Sequence, residues 1–164
     1  MDEGSFLYSL RARTGRSFDL PTEAQWECAC RAGTATALNS GKNLTGPTTC
    51  TNMAEVGRYS GNQYDGKGSY NGSTTTVGSY LPNDRGLYDM HGNAEEWCLD
   101  WFGPLSAAAA TDPSGSPSGT LRTVRGGSYA LDAKYCRSAS RAGIGPANQS
   151  TSIGFRIACR AYPW

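Results

Sequence analysis

The chain opens with a short stretch in which apolar residues recur at helical spacing. Between residues 5 and 13, Phe6, Leu7 and Leu10 share one side of a helix, and Gly15 follows as a stop. This pattern predicts a short amphipathic helix at the start of the chain.

A second helix is predicted from the signals at its start. Thr22 is a favoured N-cap residue, and Gln25 three positions later completes a capping box. Gly33 supplies the end of the helix. The residues expected to face inward are Trp26, Ala29 and Cys30.

The periodic pattern then disappears between residues 34 and 76. The chain holds 21 glycines, about twice the usual share, and Asn, Ser, Thr and Tyr crowd this region. A stretch of this length without periodicity is unusual in a compact domain unless it is a functional loop that something holds in place. We therefore expect a long, ordered loop.

Short strands are predicted in the second half of the chain. Within residues 96–102, Trp97, Leu99 and Trp101 fall on one face by alternation, and we expect Trp97 and Trp101, with Trp26, to be core aromatics. Early helices followed by late strands indicate an α+β fold with antiparallel sheets and long irregular loops. The strand segments are 76–80, 96–102, 121–124 and 153–160, with a turn at 82–86.

Composition narrows the class of partner. The 164 residues suffice for one domain, the net charge is +1, and the Lys and Arg residues are scattered, which argues against nucleic acid or an acidic membrane surface as a partner. No apolar run approaches the roughly 20 residues that span a bilayer, so we expect a soluble domain without membrane insertion. The compartment stays open, including display on a bacterial or phage surface through another segment.

Four sequence blocks carry a family resemblance. They are residues 20–27 (LPTEAQWE), 86–101 (GLYDMHGNAEEWCLDW), 125–129 (RGGSY) and 154–156 (GFR). Together they resemble the formylglycine-generating enzyme, or sulfatase-modifying-factor, family, which implies a single C-type-lectin-like domain over residues 1–164. The resemblance also implies that the family's N-terminal portion is missing, and a natural short form and a trimmed chain both stay open.

The resemblance implies a structural calcium site in the central loop. Asp89 and Glu96 would bind through their side chains, and Gly92 and Ala94 through backbone carbonyls. Calcium takes about six to eight oxygen ligands, and its binding would help to order a loop-rich region. The alternative is that Asp89 caps a turn and Glu96 pairs with an arginine, without metal. A second family site would use Asn52, the carbonyl of Met53 and Asp65.

The catalytic centre implied by the family is broken in this sequence. Active members hold copper through two cysteines just after the Gly-Gly-Ser-Tyr block, and here the segment from Tyr129 to Arg141 holds only Cys136. Since the pairing of two soft sulfur ligands selects Cu(I), we expect no copper. Cys136 is expected to pack near Cys30 or to form with it a disulfide that the family implies. The only histidine, His91, is expected to be a hydrogen-bond donor in a turn.

The C-terminal block carries a second resemblance. It reads Gly-Gly-Ser-Tyr, Cys-Arg-Ser-Ala-Ser-Arg, a proline and Gly-Phe-Arg, and it resembles the variable proteins of diversity-generating retroelements. Such proteins display diversified residues that bind a protein or other macromolecular ligand, as an antibody paratope does. An ordinary solvated surface is the alternative. The expected ligand-binding residues, here called the C-terminal patch, are Tyr129, Leu131, Asp132, Lys134, Tyr135, Ser140, Ile144 and Asn148.

The sequence therefore favours a non-catalytic, receptor-type domain that binds a ligand. The rival hypothesis is a formylglycine-generating-enzyme-like oxidoreductase that acts on protein cysteine, so whether the chain is an enzyme stays open. A carbohydrate-binding lectin is a third possibility, but it needs a calcium ion with open coordination positions, whereas the predicted loop looks closed.

Overall fold

The computed structural model describes residues 4–64, 71–106 and 108–159. Short helices, short strands and long loops alternate along the chain, as the α+β prediction requires. The helices are α1 (Phe6–Thr14), α2 (Glu23–Arg31) and α3 (Thr51–Val56), with 3-10 turns at Ser60–Asn62 and Ala133–Tyr135. The strands are β1 (Phe18–Asp19), β2 (Gly57–Arg58), β3 (His91–Gly92), β4 (Glu95–Trp101), β5 (Arg122–Arg125), β6 (Arg141–Ile144), β7 (Ile153–Phe155) and β8 (Ala158–Cys159). None of the described helices has the length and apolar character that crossing a bilayer requires.

The first helix is confirmed, and it lies on the surface. The hydroxyl of Ser5 accepts a hydrogen bond from the backbone N–H of Tyr8, and Gly15 ends the helix in the left-handed conformation with φ of 67°. No residue of α1 is fully buried. Its Phe6 ring contacts the ring of Phe155, with 5.7 Å between the centroids.

The capping box predicted for α2 is present. The Thr22 hydroxyl accepts from the N–H of Gln25 at 3.2 Å, and the Gln25 side chain accepts from the N–H of Thr22 at 2.9 Å. Trp26 and Cys30 are buried as expected, and Ala29 is half-buried. α2 therefore supplies the inward-facing indole around which part of the core is built.

The region expected to be a continuous loop contains a helix that the sequence pattern did not reveal. α3 has only six residues, too few to show a period, and its N-cap is Cys50 rather than one of the usual capping residues. The Cys50 sulfur accepts from the N–H of Met53 at 3.4 Å. Burial of Met53 and Val56 anchors the helix, so tertiary packing stabilises it where local propensity does not.

The strand predictions are confirmed in part. β4 and β5 occupy the expected segments and the turn at 82–86 is present, closed by a hydrogen bond from the N–H of Gly86 to the carbonyl of Asn83. The strand expected at 76–80 is wrong, because this segment turns at Gly78 with φ of 75°. The expected terminal strand is divided into β7 and β8, and residue 160 lies outside the described residues. β6 was not predicted.

The largest sheet has the strand order β6-β5-β4-β7. β6 pairs with β5, and β5 with β4, in the antiparallel sense that was predicted, whereas β4 pairs with β7 in parallel. Two small sheets complete the fold, an antiparallel pair β1–β8 and a parallel pair β2–β3. The terminal segment thus serves two sheets, which explains its division.

The two faces of the largest sheet differ from the prediction. Along β4 the buried residues are Glu96, Cys98 and Asp100. The face expected to be core, with Trp97, Leu99 and Trp101, is partly exposed, and Leu99 is 37% exposed. Alternation shows which residues share a face but not which face is buried. We call the face that packs on α2 the inner face and the opposite one the outer face.

Candidate functional site

Close backbone contact places His91 in the core. At Gly57 an added Cβ would lie 1.7 Å from the carbonyl oxygen of His91, and at Gly92 it would lie 1.9 Å from the carbonyl oxygen of Arg58. Glycine at both positions therefore lets β2 and β3 approach each other, and Gly92 also adopts a φ of 73°. His91 between them is fully buried.

His91 is a hydrogen-bond donor as predicted, but it lies in the core on β3 and not in a turn. Its Nε2 accepts from the N–H of Asn39 at 3.0 Å, so the proton lies on Nδ1, which donates to the carbonyl of Cys136 at 2.7 Å. The Cys30 sulfur lies 3.8 Å from Nε2. Burial lowers the pKa of His91 to about 4, so the imidazole is neutral and links three segments of the chain.

The Gly-Gly-Ser-Tyr block packs against the same core. An added Cβ would lie 3.2 Å from the Trp26 ring at Gly126 and 2.6 Å from the Cys136 sulfur at Gly127. The carbonyl of Gly126 accepts from the N–H of Gly92 at 2.7 Å. The two glycines therefore allow the chain to pass between the indole and the thiol.

Cys136 is a buried thiol. It is fully buried, and burial raises its pKa to about 12; burial likewise raises the pKa of Cys30 to about 11. Both are free thiols, so the disulfide alternative is wrong in this structure, and the two residues lie in separate hydrophobic clusters and each contact His91. The Cys136 sulfur contacts the carbonyl of Ser128 at 3.8 Å, and the Cys30 sulfur contacts the Ser138 hydroxyl at 3.6 Å.

Three of the four expected calcium ligands line one open cavity of about 500 Å³, namely Asp89, Ala94 and Glu96. Gly92 lies beside the cavity rather than in its lining. Glu96 pairs with Arg156 at 2.8 Å and also accepts from the indole N–H of Trp26 at 2.6 Å. The pair with Arg156 is the contact that the metal-free alternative describes for Glu96.

Asp89 keeps one oxygen that fits a cation. Its Oδ2 accepts from the N–H of Gly78 at 2.7 Å and so caps a turn, whereas Oδ1 is buried and has no hydrogen-bond partner in the described structure. No group of three or more His, Cys, Asp or Glu residues within the described ranges is arranged to hold a metal, so a cation here would depend on carbonyl oxygens as well.

The second expected calcium site stays a prediction, because one of its three ligands is not among the described residues. The amide of Asn52 donates to the carbonyl of Asn43 at 2.8 Å, and the side chain of Met53 is buried in the core. Asp65 lies outside the described residues.

The C-terminal patch converges on the outer face in two groups. Leu131, Tyr135 and Ser140 line a notch of about 40 Å³, and Ile144 and Asn148 line a shallow depression of about 640 Å³. Glu95 belongs to both linings. We call the smaller recess the Glu95 notch.

The remaining patch residues, Tyr129, Asp132 and Lys134, are not in these two linings. The hydroxyl of Tyr129 lies 3.2 Å from the hydroxyl of Thr151, and the carboxylate of Asp132 accepts from Ser60 at 3.1 Å. The ammonium of Lys134 lies over the Tyr135 ring, 4.8 Å from its centroid. Five of the eight expected positions therefore line the two recesses, and Lys134 contacts one of these five, Tyr135.

Glu95 is the site residue that the sequence pattern did not single out. It is half-buried at the start of β4, and burial raises the pKa of its carboxyl. The signal available in the sequence was its alternation with Trp97, which places both residues on one face of the strand.

The chain is similar to members of one known protein family. A family model described as "Sulfatase-modifying factor enzyme 1-like domain" matches residues 6–161. The formylglycine-generating enzyme of Streptomyces coelicolor is 38% identical over 152 residues, which cover 85% of this chain and 46% of that enzyme. The chain thus spans less than half of the length of this relative.

Two solved structures share the fold. Treponema denticola variable protein 1 superimposes with a TM-score of 0.76 at 37% identity, covering 89% of this chain and 49% of that one. PvdO from Pseudomonas aeruginosa gives a TM-score of 0.78 at 27% identity, covering 94% and 57%. These likenesses confirm the expected C-type-lectin-like fold and the family resemblance of the four sequence blocks.

Proposed function

This chain belongs to the sulfatase-modifying factor enzyme 1-like family, and on that premise we propose that it is a non-catalytic, ligand-binding domain of the variable-protein type. Its binding surface is the outer face of the four-stranded sheet together with the C-terminal patch. The ligand is a protein or another macromolecule, and the diversified positions are those of the patch.

The observation that carries this proposal is the convergence of the patch on an accessible apolar surface. Strand register places Trp97 beside Phe155, and Ile153 beside Glu95, on the outer face, whereas Val124, the neighbour of Trp97 on β5, is buried. Phe155 is 55% exposed and Tyr135 is 48% exposed. Contiguous exposed apolar surface bordered by polar residues is typical of a site of macromolecular contact.

The chemistry of Cys136 supports a role without catalysis. A nucleophilic or metal-binding cysteine acts as a thiolate, whereas burial raises the pKa of Cys136 to about 12. The sequence supplies no second cysteine between Tyr129 and Arg141, and the Cys30 thiol lies on the far side of His91. The core position of Cys136 thus suits packing better than reaction with a substrate.

The binding proposal is tested by selection from a displayed protein library. We expect the domain to retain ligands whose binding is lost when Tyr135→Ala or Ile144→Asp is introduced. The control is Leu81→Ala, which removes an exposed apolar side chain from a loop that lines neither recess of the patch. Failure to retain any ligand, or equal binding by Tyr135→Ala and wild type, would overturn the proposal.

The second candidate is an oxidoreductase that acts on protein cysteine. The 38% identity to an enzyme named formylglycine-generating enzyme favours it. A Cu(I) titration separates the two candidates, because an enzyme of this kind would bind one equivalent tightly and oxidise a cysteine peptide with oxygen. Loss of both properties in Cys136→Ser would establish this alternative, and we expect neither property in the wild type.

We further propose that the cavity lined by Asp89, Ala94 and Glu96 holds a calcium ion. The unpartnered Oδ1 of Asp89 supports this, since a buried carboxylate oxygen without a partner is costly. Asp89 would be the primary ligand, with carbonyl oxygens completing the shell. The ion would stabilise the loop around residues 75–94 and would take no part in chemistry.

A further inference from the structure

We propose that Glu95 is a selectivity residue of the outer face and that its carboxylate binds the ammonium group of a lysine side chain on the protein ligand. This inference rests on the proposed function and specifies which chemistry the surface recognises. It is carried by an unpaired carboxylate, apolar surroundings and a recess of matching size.

Glu95 is set among apolar residues by the strand register. Ile153 lies directly beside it on β7, and Trp97 lies two positions further along β4 on the same face. Val124 and Ala142 continue the face onto β5 and β6, where the register pairs them with each other. A carboxylate in this position loses hydration without gaining a polar neighbour from the sheet.

The described part of the chain supplies no cation to Glu95. Its N–H donates to the carbonyl of Ser152 at 2.8 Å, and no hydrogen bond or ion pair reaches its carboxylate from the described residues. The neighbouring acids behave differently, because Glu96 pairs with Arg156 and Asp100 accepts from the N–H of Glu23 at 2.7 Å. Among these acids on β4, Glu95 is the one left for an external partner.

The nearby cations are committed elsewhere. The guanidinium of Arg122 stacks on the Trp101 ring at 3.6 Å, and the ammonium of Lys134 lies over Tyr135. Arg125 and Arg141 also line the Glu95 notch, but their guanidinium groups pair with glutamates of α2 on the inner face. An external cation could therefore form an ion pair with the Glu95 carboxylate without breaking an existing contact of these four residues.

The Glu95 notch is large enough for an ammonium group. Its volume of about 40 Å³ exceeds the roughly 10 to 15 Å³ of cavity space that one water molecule needs, and an ammonium group is similar in size to water. Leu131 and Tyr135 offer apolar walls to a methylene stem, and the Ser140 hydroxyl can accept a further hydrogen bond. The wider depression beside Ile144 leaves room for the remainder of the ligand.

A charge that serves only to keep the sheet face soluble would not need a recess. Such a charge would be exposed, whereas Glu95 is half-buried and borders two concavities. Half-burial without a partner is costly for a carboxylate. Glu95→Gln is consequently expected to fold at least as stably as the wild type, the opposite of the result for a residue in a structural ion pair.

The first test uses n-butylammonium chloride as the probe and follows the protein by NMR, with sodium chloride and n-propylguanidinium chloride as ionic controls. We expect saturable shifts at residues that line the Glu95 notch with n-butylammonium, and at least about tenfold weaker binding in Glu95→Gln, since one charge-assisted hydrogen bond is lost. Asp84→Asn, which removes an exposed carboxylate elsewhere, should bind as the wild type does. Equal shifts in Glu95→Gln, or none in the wild type, would overturn the inference whether or not a macromolecular ligand exists.

The second test uses peptides selected on the wild-type domain. We expect enrichment of lysine, about tenfold weaker binding when that lysine is replaced by arginine, and loss of the lysine preference on Glu95→Gln. Peptides that depend on Tyr135 but show no lysine preference would support the proposed binding function and reject the role of Glu95. The two proposals therefore fail in distinguishable ways.

Discussion

The guanidinium of Arg141 donates two hydrogen bonds to the carboxylate of Glu23, each 2.6 Å long, and joins α2 to β6 across 118 positions of the chain. Arg125 lies beside this pair, only 1% exposed, and contacts the carboxylates of Glu23 and Glu27. Its guanidinium also lies over the Trp26 ring at 5.2 Å. The inner face of the sheet is therefore fixed to α2 by ion pairs and one indole.

Glu23→Gln is expected to destabilise the protein by about 3 to 5 kcal/mol, because removal of one partner leaves buried guanidinium charge uncompensated. The free energy of unfolding in urea measures the effect. The control is Asp84→Asn, in an exposed turn, which should change stability by less than about 0.5 kcal/mol. A cost for Glu23→Gln as small as that of the control would show that the ion pairs on α2 contribute little.

The buried imidazole predicts a pH dependence. The pKa of His91 is about 4 in the folded protein, against an ordinary value of 6.5 for histidine. Between these pH values the unfolded chain therefore binds a proton more readily than the folded protein does. Stability should therefore be complete above pH 6.5 and should fall as the pH drops towards 4, by about 3 kcal/mol in total. Urea unfolding at a series of pH values measures this slope.

The control for the histidine prediction is His91→Gln, which keeps a donor and an acceptor but does not titrate. This variant should be less stable at pH 7.5 and should lose the part of the slope between pH 4 and 6.5. Since the chain has one histidine, an unchanged slope in the variant would assign the pH dependence to carboxyl groups instead.

Thiol reactivity should separate the two cysteines of α2. Cys28 is exposed, whereas Cys30 is buried and its pKa is raised to about 11 by burial. Iodoacetamide at pH 8, followed by peptide mass spectrometry, should modify Cys28 in the native protein and should modify Cys30 and Cys136 only after unfolding. Rapid native modification of Cys136 would contradict the buried-thiol assignment and would favour the enzyme alternative.

Calcium should raise the melting temperature if the proposed site is correct. We expect a concentration-dependent increase in the wild type, reversed by a chelator, because a ligand that binds only the folded state stabilises it. Asp89→Asn should abolish the increase while it preserves the turn, since Asn tolerates the φ of 57° found at this position and can accept from the N–H of Gly78. A wild-type melting temperature unaffected by both calcium and chelator would reject the site.

The sequence correctly predicted those parts of the fold that are set by interactions between neighbouring residues. The Thr22–Gln25 capping box, the Gly15 stop and the turn before Gly86 each act within a few residues, so the sequence predicts them. α3 was not predicted because its stability comes from burial of Met53 and Val56. β6 was not predicted because its partner strand is supplied from elsewhere in the chain. His91 was assigned to a turn for the same reason, since its burial depends on the close approach of Gly57 and Gly92.

The candidate site likewise has features that local sequence predicts and features that depend on tertiary packing. Motif spacing located the C-terminal patch and the single cysteine of its loop, and the structure places five of the patch residues in the linings of two recesses that share Glu95. Motif spacing could not identify Glu95, because the role proposed for this residue depends on the lack of a cation beside its carboxylate among the described residues. The absence of a neighbouring cation is a property of three-dimensional packing and has no local pattern in the chain.

The sequence by itself determined the family, the capped helix, the glycines of the Gly-Gly-Ser-Tyr block and the lone cysteine that follows it, because each is written in adjacent residues or in fixed spacing. The tertiary structure decided that Glu96 and Asp100 lie inside and Trp97 lies outside. Alternation along β4 permits either orientation, and only the arginines of β5 and β6, paired with the glutamates of α2, make the charged face the favourable one to bury.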